Sequence, residues 1–388
     1  MRCATTFTGR ACPSRTLYAS TKRRSFSTVH WSSKPTQTEI RSAREYCANL
    51  LKNYDSPSYT LLAFIPPQAQ TAYLAIRAFN IEIARIADTA STAQVGALRL
   101  QFWRDTVTKT FQGAPPKQPV AIQLHAAIDE LARRSNGQAR FSKSWLLRII
   151  SAREQYLSNN PYPTMDTLER YSENTYSTLL YLTLQALPLA SITADHIASH
   201  VGKATGIVAV LRGLPLLAFP LSPNHHSNNA GLADNVANQR ARSQQGVVTL
   251  PLDIMAEVGL REEDVLRKGP EAEGLRDAVF SVAIRASDHL ITARSMITNL
   301  RKGQDVGHDF EHSSEEEHTA ARQSASTSVS AQLSDVEKAF GVFMPAVSTQ
   351  LWLDRLQMVD FDVFREQLRH RDWKLPWKAW LAQRRKAF

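Results

Sequence analysis

The run YLAIRAFNIEIARIAD, Tyr73 to Asp88, decides the fold class. Leu74, Ala75, Ala78, Phe79, Ile83 and Ile86 recur at spacings of three and four, with Glu82 in the same series. Apolar residues at i, i+3, i+4 and i+7 share one face of a 3.6-residue helix, whereas a half-buried strand alternates at every second residue. Pro66-Pro67 stands just upstream, where proline suits a first helical turn. The same period continues from Ser42 onward. It predicts helices over 93–111, 120–133, 142–159, 164–186, 194–218, 262–268, 273–300 and 334–356. No set of period-2 segments competes with them. Only 15 of 388 residues are Gly, which also disfavours a turn-rich β fold. The expected class is all-α.

The charge divides unevenly. Residues 1–38 hold seven Lys or Arg (Arg2, Arg10, Arg15, Lys22, Arg23, Arg24 and Lys34) and no acid, so the chain's +10 falls to +3 without them. The basic balance therefore does not argue for nucleic-acid binding. An Arg-, Ser- and Thr-rich, acid-free N-terminus has the composition of a mitochondrial transit peptide. Arg24-Ser25-Phe26-Ser27 resembles a matrix-protease site cleaved after Phe26. Cys3 and Cys12 lie in that segment, leaving Cys47 alone, and one thiol builds neither a disulfide nor a thiolate metal cluster. The best membrane-spanning candidate, residues 204–221, is interrupted by Arg212, Pro215 and Pro220. A span needs about 20 predominantly apolar residues, so no transmembrane helix is expected. Residues 222–245 and 303–334 are polar, short of core-forming side chains, and read as loops. Their histidines, His225, His226, His308, His312 and His318, lack fixed spacing and read as solvated rather than as metal ligands.

Several segments, in order, carry a family resemblance. Tyr54-Asp55-Ser56-Pro57-Ser58-Tyr59 with 61–67, Tyr73 to Phe79, Gln101-Phe102-Trp103-Arg104, Tyr171 to Leu180, Gly202 to Arg212, the run GVVTLPLD from Gly246 to Asp253, and Phe343 to Phe364 together resemble the squalene/phytoene synthase family. The resemblance covers roughly Ser42 to Phe364. It implies an isoprenoid (terpenoid) synthase-like single helical domain over 39–364, with polar loops near 222–245 and 303–334. That family's chemistry uses two Asp-x-x-x-Asp pairs. Residues i and i+4 share a helix face, and two such pairs hold Mg²⁺ ions that clamp a diphosphate.

Here the aspartates are missing. In the register set by Ala78-Phe79, the first pair falls at Ala84 and Asp88, with Arg85 at the acidic position between. Glu82 and Asp88 are the only acids between Asp55 and Asp105, and six residues put them about 240° apart on a regular helix. Asp88 alone is expected to cap or pair locally. In the register set by Leu211-Arg212, the second pair falls at Gly213 and Leu217, and the upstream Asn and Gln at Ala209 and Gly206. No acid occurs from His196 to Ala233. The Arg and Tyr of the following Leu-Pro element fall at Val247 and Thr249. No catalytic residue, metal or cofactor is therefore expected. These departures, with Phe79 to Glu82, Gly202 to Val208 and Val359 to Phe364, resemble one branch of the family, complex I assembly factor 6. That branch implies a non-catalytic role in assembling the membrane-arm module that holds the ND1 subunit, at the matrix side of the mitochondrial inner membrane.

The C-terminal stretch 365–388 holds eight Lys or Arg against two acids. Trp373, Trp377, Trp380 and Leu381 recur at i, i+4, i+7 and i+8, and Pro376 can open a helix. Trp373, Trp377 and Trp380 beside Lys378, Arg384 and Arg385 form the candidate contact with an anionic membrane surface or a partner. The competing reading packs the tryptophans against the helical body. Two further readings stay open: an active prenyl-diphosphate transferase using other ligands, and an isoprenoid- or lipid-binding protein whose cavity survives.

Overall fold

A computed structural model describes residues 35–189, 191–220, 246–304 and 328–388. Most of the basic N-terminal segment with its cleavage site, and the greater part of both polar loops with their five histidines, lie outside these residues. Lys34–Phe388 forms one compact unit, and no strand occurs among the described residues.

The chain opens with α1 (Gln37–Tyr54), started by a reciprocal cap in which the Thr36 hydroxyl accepts from the Glu39 amide and Glu39 reaches back to the Thr36 amide. After α2 (Ser56–Leu61) comes α3 (Pro67–Ala84), with proline in its first turn and twelve buried residues. It breaks at Arg85, and a single further turn follows, α4 (Ile86–Thr89). Next are α5 (Ala93–Phe111), α6 (Pro119–Arg134), α7 (Lys143–Gln155), α8 (Met165–Ser172) and α9 (Thr178–Gln185). A π turn, Glu173–Ser177, joins α8 to α9 inside what reads as one helix in sequence. Phe79 on α3 meets Trp103 on α5 edge to face at 5.6 Å, and Arg104 forks onto the Glu154 carboxylate to tie α5 to α7.

The central element is α10 (Ile192–Ala218). It is the one described helix long and apolar enough to cross a membrane, contrary to the expectation that prolines and Arg212 rule such a helix out. Yet 61% of its apolar window is buried, against α8, the π turn, and two later helices, α13 (Leu275–Arg301) and α15 (Pro345–Met358). Its length and apolar character therefore serve the core of the bundle. Two glycines set how closely α10 approaches. A Cβ at Gly202 would stand 2.3 Å from the Ser177 Cα, and one at Gly206 would stand 2.5 Å from the Ser172 Cβ. Between α10 and α13 lie the short α11 (Leu252–Glu257) and α12 (Glu262–Lys268), and α14 (Val329–Ala339) precedes α15.

The chain closes with α16 (Leu375–Arg385), packed through Leu375, Ala379 and Ala382 on α15 and α2. Arg301 donates to the carbonyls of Arg385 and Lys386, and Arg294 to a Phe388 oxygen. The C-terminal stretch is thus part of the packed body.

Candidate functional site

One cavity of about 520 Å³ collects most of the positions singled out in the sequence. Ala84 and Asp88 line it from the α3–α4 junction, Ala209, Gly213 and Leu217 from α10, and Val247 and Thr249 from the irregular segment ahead of α11. Backbone bonds fix that segment: Val247 donates to the Leu217 carbonyl, and Leu252 to the Tyr162 carbonyl. The two halves of the degenerate motif therefore face each other across open space.

Two motif positions do not reach the cavity. Gly206 is spent on the close packing against Ser172. Arg85 turns outward, its guanidinium 3.8 Å from the centre of the Tyr54 ring. Glu82 also leaves the site, accepting from the Tyr46 hydroxyl at 2.8 Å. Glu82, on α3, and Asp88, past the break at Arg85, are accordingly on different sides. Asp88 does not cap, however. It sits within α4, at the cavity's exposed edge. Protein atoms crowding its carboxyl push its pKa up, against the opposing pull of Arg85 and Arg153.

The far wall is polar in a way the sequence reading did not anticipate. Tyr156, Tyr162, Tyr171 and Tyr176 line the cavity. Tyr156 and Tyr162 stack at 4.6 Å, and Tyr171 meets them at 5.1 and 5.4 Å. Burial raises the pKa of Tyr162 and Tyr171, so both phenols stay protonated at neutral pH. Tyr171 and Tyr176 are five residues apart, which on an α-helix places them on different faces. The π turn, with its i→i+5 bonding, brings that spacing to about one turn, so both rings face the cavity.

Among these rings lies Arg153. It donates to the Tyr171 hydroxyl and, at 3.1 Å, to the Asn80 side-chain oxygen. Its guanidinium lies 5.5 and 5.7 Å from the centres of the Tyr171 and Tyr176 rings. Burial works against its charge, but the oxygens of Tyr171 and Tyr176 outweigh burial and raise its pKa, so it stays a cation. The sequence did carry a signal for this residue: Leu146, Ile149, Ile150 and Arg153 continue one apolar helical face, and a charge on such a face needs a partner.

The donors here do not fit Mg²⁺. That ion takes hard oxygen ligands, usually carboxylates, in near-octahedral order. Among the described residues Asp88 is the only carboxylate lining the cavity, and a guanidinium lies on another part of its wall. Among the described residues no cluster of three His, Cys, Asp or Glu side chains could hold a metal.

The C-terminal candidates lie elsewhere. Trp373, Trp377 and Trp380 are 74, 71 and 50% exposed, with Lys378, Arg384 and Arg385 exposed beside them. Arg384 lies 5.5 Å from the Trp380 ring centre. The rings do not pack into the helical body; Leu375, Ala379 and Ala382 do.

Known proteins are similar in both sequence and fold. A rat protein named NADH dehydrogenase (ubiquinone) complex I, assembly factor 6, is 35% identical over 90% of this chain and 84% of its own length. The human protein of that name is 33% identical over 88 and 82%, and a Drosophila melanogaster homologue is 27% identical over 87 and 83%. Among solved structures, a ligand-bound dehydrosqualene synthase superposes with a TM-score of 0.63 at 13% identity, covering 90% of this chain and 98% of that one. A squalene synthase from Alicyclobacillus acidocaldarius gives 0.55 at 12%, covering 84 and 97%. The profile of squalene/phytoene synthases matches residues 51–218 and 232–380, which span both halves of the cavity. With its helical bundle, its facing motif segments and this match over most of its length, the chain belongs to the squalene/phytoene synthase family.

Proposed function

We propose that this protein is a non-catalytic assembly factor for mitochondrial respiratory complex I, held peripherally at the matrix side of the inner membrane. One observation carries the non-catalytic part. The cavity brings the motif positions together, yet Ala84, Ala209, Gly213 and Leu217 supply no ligand oxygen, and Asp88 is left without a second carboxylate. Among the described residues the cavity does not offer the paired carboxylates that Mg²⁺-assisted diphosphate departure uses, which supports this reading. The assembly role is taken from the relatives at 33–35% identity, whose names give it. On that reading the partner is an assembly intermediate of the membrane arm, the module containing ND1.

Peripheral attachment is supported by the C-terminal surface. α16 shows its tryptophans and basic residues to solvent while its small side chains dock. α10, the one described helix with spanning character, is mostly buried in the core. The acid-free segment over residues 1–38 is read as the transit peptide, removed after Phe26; an intact Met1 on protein isolated from mitochondria would refute that.

The test pairs two assays. Cells lacking the protein should lose assembled complex I on native gels while keeping the other respiratory complexes. The purified protein with farnesyl or geranylgeranyl diphosphate and Mg²⁺ should give no condensation product. Turnover that a cavity substitution abolishes would return the chain to the enzymes.

A further inference from the structure

The cavity holds about 520 Å³. Arg153, the tyrosines and Thr249 form one part of its wall, and Ala84, Ala209, Gly213 and Leu217 form another. Arg153 is anchored inside by Tyr171 and Asn80, yet its Nε has no hydrogen-bond partner. The Thr249 hydroxyl, from the segment ahead of α11, is buried and likewise has none. Both residues line the same cavity. Buried donors without partners are costly, about 1–3 kcal/mol each, and are uncommon unless something absent from the protein itself satisfies them. Toward the outside, Ala84, Ala209, Gly213 and Leu217 give an apolar passage that ends at exposed Leu216 and Pro220. Asp88 stands at that outer edge, where its charge disfavours an anion at the mouth.

We propose that the cavity binds a single-chain amphiphile bearing one acidic group, a carboxylate or a phosphate monoester, without a metal ion: the acid is held inward on Arg153, with Thr249 as a second donor, and the apolar chain runs out past Leu216. Guanidinium is suited to both acids because its N–H groups match their paired oxygens. The volume, about 520 Å³, falls in the usual range of small-molecule sites. A site built on two aspartate pairs holds its charged group at those positions; here three of the four, Ala84, Gly213 and Leu217, are apolar and the fourth, Asp88, repels an anion, so the ligand lies the other way round. The inference deepens the non-catalytic reading, since it rests on the cavity having outlived its metal chemistry.

The test is equilibrium binding of 11-(dansylamino)undecanoic acid to the full chain, followed by fluorescence. Palmitic acid, lysophosphatidic acid and hexadecanol serve as competitors, each with EDTA and with Mg²⁺. Saturable binding indifferent to EDTA is expected, with hexadecanol at least tenfold weaker as a competitor than whichever acid is preferred; the two acids between them identify carboxylate or phosphate. Arg153→Met should weaken binding at least tenfold, and Arg153→Lys should recover part of it. Arg153→Met also removes a packing contact, so Gly213→Phe provides an independent variant. A Cβ at Gly213 meets nothing within 4 Å, and the ring would fill the passage and abolish binding in a folded protein. Asp88→Asn should bind at least as tightly as the unaltered chain. Absence of saturable binding, equal competition by hexadecanol, dependence on Mg²⁺, or unchanged binding by Gly213→Phe would each overturn the proposal. None of these readouts involves complex I, so their failure leaves the assembly role standing, and loss of the assembly role leaves them standing.

Discussion

Two glycines on α10 should respond to alanine with opposite signs. At Gly206 the added Cβ would lie 2.5 Å from the Ser172 Cβ, 2.6 Å from its Oγ and 2.9 Å from its Cα. Carbon atoms pack at about 3.5–4.0 Å, so α10 and α8 must part by roughly 1 Å. The serine cannot simply swing aside, because its hydroxyl donates to the Leu168 carbonyl at 2.9 Å and its Cα is itself too close. Overpacking of this kind costs about 1–3 kcal/mol, offset by about 1 kcal/mol of helix propensity gained over glycine. Gly206→Ala should therefore lose up to about 2 kcal/mol net. At Gly213 the Cβ meets nothing within 4 Å. Only the propensity gain remains, and Gly213→Ala should be stabilised by about 0.5–1 kcal/mol. Urea unfolding followed by far-UV circular dichroism reads both, with the slope held as a check on the transition. The two midpoints should fall on opposite sides of the unaltered protein. Gly206→Ala at or above that reference, or Gly213→Ala below it, would refute the packing described for α10.

Other outcomes follow from particular groups. Burial would raise the Glu169 pKa, but His289, 3.4 Å away, and Arg285 outweigh it and lower the carboxyl from 4.5 to about 2. Its stabilisation is complete above pH 4.5 and is lost as pH falls toward 2, so Glu169→Gln should flatten the acid limb of the unfolding midpoint in that window. Cys47 is fully buried and its thiol is pushed up to about 12, chiefly by burial, so maleimide should label it only after denaturation. Joint replacement of Trp373, Trp377 and Trp380 by alanine should release the protein from anionic vesicles with little loss of stability, because these rings are exposed. Sedimentation unchanged from the intact chain would clear this surface of the anchoring role.

Much of the fold is written in apolar periodicity. The helices over 93–111 and 262–268 form with the bounds that their spacing predicts. Residues 164–186 read as one helix because periodicity does not register the i→i+5 bonding of Glu173–Ser177; that backbone detail is what aims Tyr176. Residues 334–356 also read as one helix, although the Phe340–Phe343 turn and Pro345 divide them. Gly341 there lets the chain pass so close to the Phe64 carbonyl that a Cβ would stand 2.3 Å from its oxygen, a contact between distant segments. The first helix starts at Gln37, ahead of Ser42 where the apolar period begins, because its first turn is set by the Thr36–Glu39 cap rather than by apolar residues. In the site, Ala84, Asp88, Ala209, Gly213 and Leu217, the positions that the family resemblance registers onto its motifs, line one cavity. Gly206 and Arg85 lie off it, because what each touches depends on the opposing helix. Arg153 is not legible at the motif positions, because a cation on another part of the wall leaves no mark in the spacing of the acids.

The most direct test concerns Asp88, the one carboxylate among the described residues of the cavity. Cells lacking the protein are complemented with the unaltered chain or with Asp88→Asn, matched for protein level, and assembled complex I is measured on native gels. A protein that works without metal-assisted chemistry should restore complex I equally well with either chain. Restoration by the unaltered chain but not by a stably accumulated Asp88→Asn would contradict the account, since a carboxylate would then be doing chemistry in a cavity read as having none.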